Sequence, residues 1–304
     1  MYFNIGEAPL QEIHDELLDH FSVKLYLKRE DKLHPEVSGN KWRKLKYNLM
    51  EARKRGHHTL LTFGGAYSNH IFAVAAAGAE LGFKTIGVIR GEEATSLNHT
   101  LTFSAQKGMV LHFVSREVFQ LRSTYHLQKE LANKYGDFYL IPEGGCNSLG
   151  VKGCMEIVED IGIHYDYLCT SCGTGSTLAG LISAQEGAGK LIGFSALKGA
   201  GNGLKKDISG FIAETSFENW DINEDYNFGG YAKHTQELID FINGFKKKFN
   251  IPLDPVYTGK MMYGIYDMIQ KRHIVAGSTI IALHTGGLQG IVGFNERYGN
   301  LLDV

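Results

Sequence analysis

A lysine at the start of a helix is a chemically loaded placement, and Lys41 has it in Ser38-Gly39-Asn40-Lys41-Trp42-Arg43-Lys44-Leu45. The partial positive charge of a helix N-terminus disfavours an ammonium, so that charge must be solvated, paired or removed, for instance by Schiff-base formation. An exposed lysine in a basic run with Arg43, Lys44 and Lys46 is the plainer alternative. A second candidate is Ser171-Cys172-Gly173-Thr174-Gly175-Ser176-Thr177, a glycine-rich turn that follows an apolar strand and opens a helix. Converging backbone N–H groups, added hydroxyls and the helix dipole make a cup for an anion, with phosphate the natural guest. No lysine follows the last glycine as in a Walker A loop, and Leu178 stands where the dinucleotide fingerprint needs a third glycine. A tight turn without a ligand stays open. In a third segment Ser68, Asn69 and His70 begin a helix after the strand-like Thr59 to Phe63. Their N–H groups and the Ser68 hydroxyl can hold a carboxylate, and the Asn69 amide can bond an oxygen on a ring, although a plain serine N-cap is equally open. Cys169 and Cys172 have the spacing of a zinc or redox pair. They straddle a buried strand and its exit, where alternate side chains point to opposite faces, so no metal site is expected.

The elements that must position these residues alternate along the chain. Periodicity predicts strands over 24–28, 59–63, 85–89, 110–114 and 138–141, and helices over 42–54, 68–81, 98–107 and 117–135. After Pro142-Glu143-Gly144-Gly145 a helix over 151–161, a strand over 166–170 and a helix over 177–182 restart the pattern. Strands separated by single helices run parallel, because a parallel pair needs a long crossover. The class is therefore α/β, with two open units. Ligands in such sheets bind at the carboxyl ends of strands, which is where the loops 63–70, 171–177 and 283–288 lie.

Composition narrows the functions. The 304 residues suffice for one large or two ordinary domains, and 43% hydrophobic with 21% charged residues excludes disordered and fibrous classes. With 31 basic against 33 acidic residues the net charge is -2, so no basic surplus drives binding to nucleic acid. The first residues show no secretory pattern, no stretch is long enough to span a bilayer, and four cysteines make no disulfide framework. A soluble cytoplasmic protein is expected, with no nucleic-acid or membrane partner. The 37 glycines against 5 prolines imply many tight turns and close backbone approaches.

The segments 38–44 and 64–70, followed by Asp254-Pro255-Val256-Tyr257-Thr258-Gly259-Lys260, resemble in order the pyridoxal-phosphate enzymes of the 1-aminocyclopropane-1-carboxylate deaminase and D-cysteine desulfhydrase family. The likeness runs from about Leu27 to about Gly287. It implies the tryptophan-synthase-β type of fold, fold type II, with the cofactor between two α/β domains: a large one of 1–43 with 149–304 and a small one of 44–148. A homodimer acting on a small amino acid is implied as well. Lys41 corresponds to the lysine that holds pyridoxal 5'-phosphate, Gly173, Thr174, Gly175, Ser176 and Thr177 to the phosphate cup, and Ser68, Asn69 and His70 to the substrate-carboxylate segment, with Asn69 also at the cofactor. Tyr231 resembles a tyrosine that stacks on the cofactor ring and meets substrate, and Thr258 and Thr285 resemble two hydroxyls near the ring nitrogen.

Ring-opening deaminases have Tyr-Glu where this chain has Tyr257-Thr258. A carboxylate keeps the pyridine nitrogen protonated, whereas a neutral hydroxyl supports the carbanion less, so the resemblance is closer to the desulfhydrases. The implied reaction is α,β-elimination from D-cysteine to pyruvate, hydrogen sulfide and ammonia, with Lys41 or Tyr257 taking the α-proton. Cyclopropane ring opening to α-ketobutyrate and ammonia is the alternative. A nicotinamide-dependent oxidoreductase and a non-catalytic small-molecule binding module are the rivals from other classes.

Overall fold

The computed structural model describes residues 4–93, 96–185, 187–212 and 219–303. Ten strands form two sheets. The larger joins β1 (Leu10–Ile13), β2 (Lys24–Lys28), β10 (Thr279–Leu283), β7 (Tyr167–Cys172), β8 (Lys190–Ser195) and β9 (Trp220–Asn223) in that spatial order. Only β1 runs antiparallel. The smaller is fully parallel, in the order β5 (Met109–Val114), β4 (Lys84–Arg90), β3 (Thr59–Gly65) and β6 (Tyr139–Ile141). Helices cover both faces of each sheet, as parallel strands require.

In the small sheet, successive β3 residues serve opposite cores. Leu60 packs with α2 (Asn40–Lys54) and α3 (Asn69–Leu81), whereas Leu61 and Phe63 face Phe119 of α5 (Arg116–Gln120) and Leu127 and Leu131 of α6 (Tyr125–Tyr135). α4 (His99–Gln106) completes the first of these layers through Leu101. In the large sheet, Leu168, Leu191 and Ile281 pack with α7 (Ser148–Glu159), α8 (Ser176–Gln185) and α9 (Gly201–Ser209). Cys169, Ile192 and Ile280 lie on the opposite face, with α1 (Glu16–His20), α10 (Gln236–Phe249), α11 (Thr258–Gln270) and α12 (Gln289–Tyr298). Each buried aliphatic side chain contributes about 1.5–3 kcal/mol.

Two predicted elements differ in extent. The helix expected over 117–135 is two helices, because Thr124 caps α6 by accepting from the Leu127 N–H and the chain turns at Leu121 to Ser123. Threonine competes for backbone hydrogen bonds and so favours a cap over a helix interior. The helix expected from 151 begins at Ser148, where the Asn147 amide oxygen accepts from the Gly150 N–H at 2.8 Å. Cys169 and Cys172 lie in separate cores on opposite faces of the sheet. Burial pushes the Cys172 thiol up to about 12 and the Cys169 thiol higher still. Among the described residues, no helix is long and apolar enough to cross a membrane. α2 runs unbroken through position 43.

Candidate active site

Because β3, β7 and β10 run parallel within their sheets, the loops leaving them open on the carboxyl ends of the strands. Lys41, in the first turn of α2, shares a narrow cavity with Ser38, Asn69 after β3, and Thr285, Gly287 and Gln289 after β10. Gly39 makes this junction possible. It has φ +65°, and a Cβ there would lie 1.9 Å from the Thr285 carbonyl oxygen, so only glycine lets the start of α2 meet the β10 exit.

The four cations of this stretch have different surroundings. Arg43 donates to Glu30 at 2.9 and 3.0 Å and to Asp160 at 2.6 Å, and Lys46 pairs with Glu156 at 2.7 Å, which ties α2 to α7. The Lys41 ammonium donates to the Asn40 side-chain oxygen at 2.8 Å, and Asn40 donates to the Thr177 hydroxyl at 2.9 Å. A hydrogen-bonded chain thus runs from Lys41 to the glycine turn. Burial and, next to it, the charge of Lys44 lower the Lys41 amine to about 7. Lys41 is half-buried and lines the cavity. Lys44 is 4% exposed and has no hydrogen-bond or ion-pair partner among the described residues. Its charge is felt at Lys41, His70, Cys154 and Cys172, the last residue before the glycine turn.

The turn itself has Gly175 at φ +80°, and the Thr174 and Ser176 hydroxyls lie 3.4 Å apart at the start of α8. This arrangement fits the phosphate of a cofactor: backbone donors at a helix start, two hydroxyls, and on α2 the charge of Lys44, felt at Cys172 beside the turn. In the sequence Lys44 resembles its paired neighbours, and only its position three residues after Lys41, on the same helix face, sets it apart.

At the start of α3 the Ser68 hydroxyl oxygen accepts from the N–H groups of His70 (3.2 Å) and Ile71 (3.3 Å), a cap worth about 1 kcal/mol, and its own hydrogen remains to donate. The Asn69 side-chain oxygen accepts from Gln289 at 2.6 Å, which leaves its amide N–H groups to donate into the cavity. Gln289 carried no sequence signal, since its partner lies 220 residues away. His70 is turned from the cavity: its Nε2 bonds the Thr62 hydroxyl at 2.9 Å, and that hydroxyl donates to the Ile141 carbonyl at 2.8 Å. Burial, then Lys41 and Lys44, hold the imidazole well below its usual range despite the nearby Pro142 carbonyl, so it is neutral.

Tyr257 lies with its ring over Gly173 of the glycine turn: a Cβ at Gly173 would lie 3.4 Å from the hydroxyl. Burial and then Tyr231 raise its phenol well above the usual range. The Tyr231 and Tyr257 rings meet edge to face at 6.2 Å. Lys260 positions the Tyr231 loop by donating to the carbonyls of Asn227 and Gly230, both at 2.7 Å. Burial lowers its amine to about 8. Thr258 is fully buried at the start of α11, and Thr285, which lines the cavity after β10, has its hydroxyl 3.3 Å from that of Ser171.

Two sheets, parallel apart from β1 and covered by helices on both faces, are the α/β architecture of the fold type II pyridoxal-phosphate enzymes. The sequence pattern of the pyridoxal-phosphate dependent enzyme family matches residues 2–286, and the chain belongs to that family. A protein of Pyrococcus abyssi, provisionally named a 1-aminocyclopropane-1-carboxylate deaminase, is 30% identical over 97% of this chain and 94% of its own. A mitochondrial protein of Arabidopsis thaliana, named a bifunctional D-cysteine desulfhydrase/1-aminocyclopropane-1-carboxylate deaminase, is 29% identical over 92% of this chain and 76% of its own. A solved structure described as an ACC deaminase homologue superposes with a TM-score of 0.82 at 28% identity, covering 98% of this chain and 95% of that one. The protein is a pyridoxal-phosphate-dependent enzyme of the lyase and deaminase group that these relatives represent.

Proposed function

We propose that this cleft catalyses α,β-elimination from a small D-amino acid, with D-cysteine as substrate and pyruvate, hydrogen sulfide and ammonia as products. In this reading Lys41 would hold the cofactor through its aldehyde, the residues Gly173 to Thr177 with Lys44 would hold its phosphate, and Asn69 would donate to its ring oxygen. Tyr231 would meet the ring and the substrate, and Thr258 and Thr285 would face the ring nitrogen. The cofactor, when bound, supplies an electron sink for the pair left at the substrate α-carbon. The division of the chain into 1–43 with 149–304 and 44–148 belongs to the same reading, since the large sheet takes strands from 10–28 and 167–283 and the small one from 59–141.

The protein groups divide the remaining work. An amine lowered to about 7 is substantially unprotonated at neutral pH, which suits Lys41 both to attack a carbonyl and to take the α-proton. Tyr257, raised by burial, keeps its proton and acts as a donor, so the base is assigned to Lys41. The Ser68 hydroxyl hydrogen serves the substrate carboxylate. The neutral His70, whose protonated nitrogen is engaged by Thr62, supports the cap from behind and gives the carboxylate no charge. Loss of the proton from the α-carbon and of hydrosulfide from the β-carbon leaves an enamine, and water completes the products as pyruvate and ammonia.

The observation that carries the substrate choice is Thr258, a hydroxyl where the ring-opening branch has a glutamate. Ring opening of the cyclopropane amino acid is the second reading, favoured by the names of the relatives. A panel of D-cysteine, L-cysteine, D-serine and 1-aminocyclopropane-1-carboxylate tests it. Sulfide and pyruvate from D-cysteine, in excess over α-ketobutyrate from the cyclopropane substrate, are expected. α-Ketobutyrate with no sulfide from either cysteine would overturn the choice.

A further inference from the structure

We propose that Asp254 is a positioning residue which, through the Thr258 hydroxyl, keeps the cofactor's ring nitrogen protonated. The proposal rests on the reading that Thr258 faces that nitrogen, and it adds a carboxylate that neither the sequence motif nor the relatives assign to this task.

Asp254 is 2% exposed, and four donors converge on its carboxylate. One oxygen accepts from the N–H groups of Val256 (2.9 Å) and Tyr257 (2.8 Å), and the other from the N–H (2.9 Å) and hydroxyl (2.8 Å) of Thr258. The Thr258 oxygen in turn accepts from the Asp254 N–H at 2.9 Å. A hydroxyl has one hydrogen and two lone pairs. Here the hydrogen is directed at Asp254 and one lone pair at the Asp254 backbone, so a single lone pair remains. Any further partner of Thr258 must therefore be a donor. A ring nitrogen in that position is held in its N–H form, with a carboxylate one hydrogen bond behind it.

The site lies on the cleft wall. A Cβ at Gly287 would come within 3.8 Å of the Asp254 carboxyl carbon and 2.6 Å of the Asn69 amide nitrogen. The negative charge of Asp254 is felt at Lys41, Lys260, Tyr231 and Tyr257, so it belongs to the electrostatics of the whole cleft. Thr258 is thus a different partner from an isolated neutral hydroxyl. Its electron withdrawal stands between that of a free hydroxyl and that of a glutamate in direct contact, enough for β-elimination and weaker for ring opening.

The test reads the ring nitrogen directly, by nitrogen-15 NMR of the holoenzyme reconstituted with ring-labelled pyridoxal phosphate. The wild type should show a protonated nitrogen throughout the neutral pH range, and Thr258→Ser should retain it. Asp254→Asn should lose it, because an amide donates to Thr258, turns the hydroxyl hydrogen toward the ring and favours the bare nitrogen. Thr258→Val should lose it as well. An unprotonated nitrogen in the wild type overturns the proposal without any variant, which covers an Asp254→Asn protein that does not fold. Loss in Thr258→Val with no change in Asp254→Asn overturns the relay and leaves Thr258 at the nitrogen. A resonance moved only by Thr285→Val overturns both the relay and the placement of Thr258.

Discussion

Replacing Lys41 by methionine should stabilise the cofactor-free protein, and more so at low pH. The folded state holds the Lys41 amine at about 7, against an ordinary 10.5 in an exposed chain. Between these values the unfolded chain binds the proton and the folded one does not, so stability rises with pH there. Below about pH 7 both states are protonated and the full cost of burying the cation is present; toward about pH 10.5 it vanishes. At about 1.36 kcal/mol per pKa unit the ceiling is roughly 5 kcal/mol. Lys41 keeps partial solvent contact, and methionine leaves the Asn40 oxygen without its donor at a cost of about 1–3 kcal/mol. A net gain of about 2 kcal/mol remains, or a Tm higher by roughly 4–8 °C at the slope of about 2–4 °C per kcal/mol for domains of this scale. Thermal unfolding of apo wild type and apo Lys41→Met, followed by circular dichroism at about pH 6 and about pH 9, reads it. A gain that grows with pH, or a loss at the lower pH, would refute the buried-amine argument.

Two further substitutions probe the anion cup. Gly175→Val places a β-branched residue at φ +80° with its Cβ 2.9 Å from Ile208, a conformation that costs about 1–2 kcal/mol in L-residues, so titration of apo-protein should show pyridoxal-phosphate affinity weakened by about tenfold or more. Unchanged affinity would move the phosphate elsewhere. Lys44→Met removes the charge felt at Cys172 beside the turn and should weaken cofactor binding by roughly ten- to hundredfold, the scale of a charge-assisted hydrogen bond of about 1.5–3 kcal/mol; unchanged affinity in Lys44→Met would contradict the role given to Lys44.

What could be read in the sequence follows from the range of the interactions involved. Strand and helix alternation through Ile141, the helix start before Lys41 and the glycine turn after Cys172 are local patterns, and the structure has all three. The larger sheet was beyond local reading, because β10 lies between β2 and β7 and pairs residues 279–283 with 24–28. The break at Thr124 was hidden by apolar spacing that continues across it. In the site, the segments of Lys41, Ser68 and Tyr257 stand out as motifs, but their partners come from afar. Lys44 is distinguished from Arg43 and Lys46 by the carboxylates of Glu30, Glu156 and Asp160, which approach the other two. Asp254 reads as a helix-start residue, and only the packed loop shows that its carboxylate also takes the Thr258 hydrogen.

Lys41 is the residue proposed to hold the cofactor. Lys260, buried in the neighbouring α11, is the strongest rival, yet both carbonyls that anchor the Tyr231 loop already engage it. Borohydride reduction of the reconstituted protein, followed by peptide mass spectrometry, decides between them. Loss of the visible absorbance and one phosphopyridoxyl group, on the peptide containing Lys41, are expected, with none in Lys41→Ala. A modified Lys44 or Lys260 in the wild type, or retained covalent cofactor in Lys41→Ala, would contradict it.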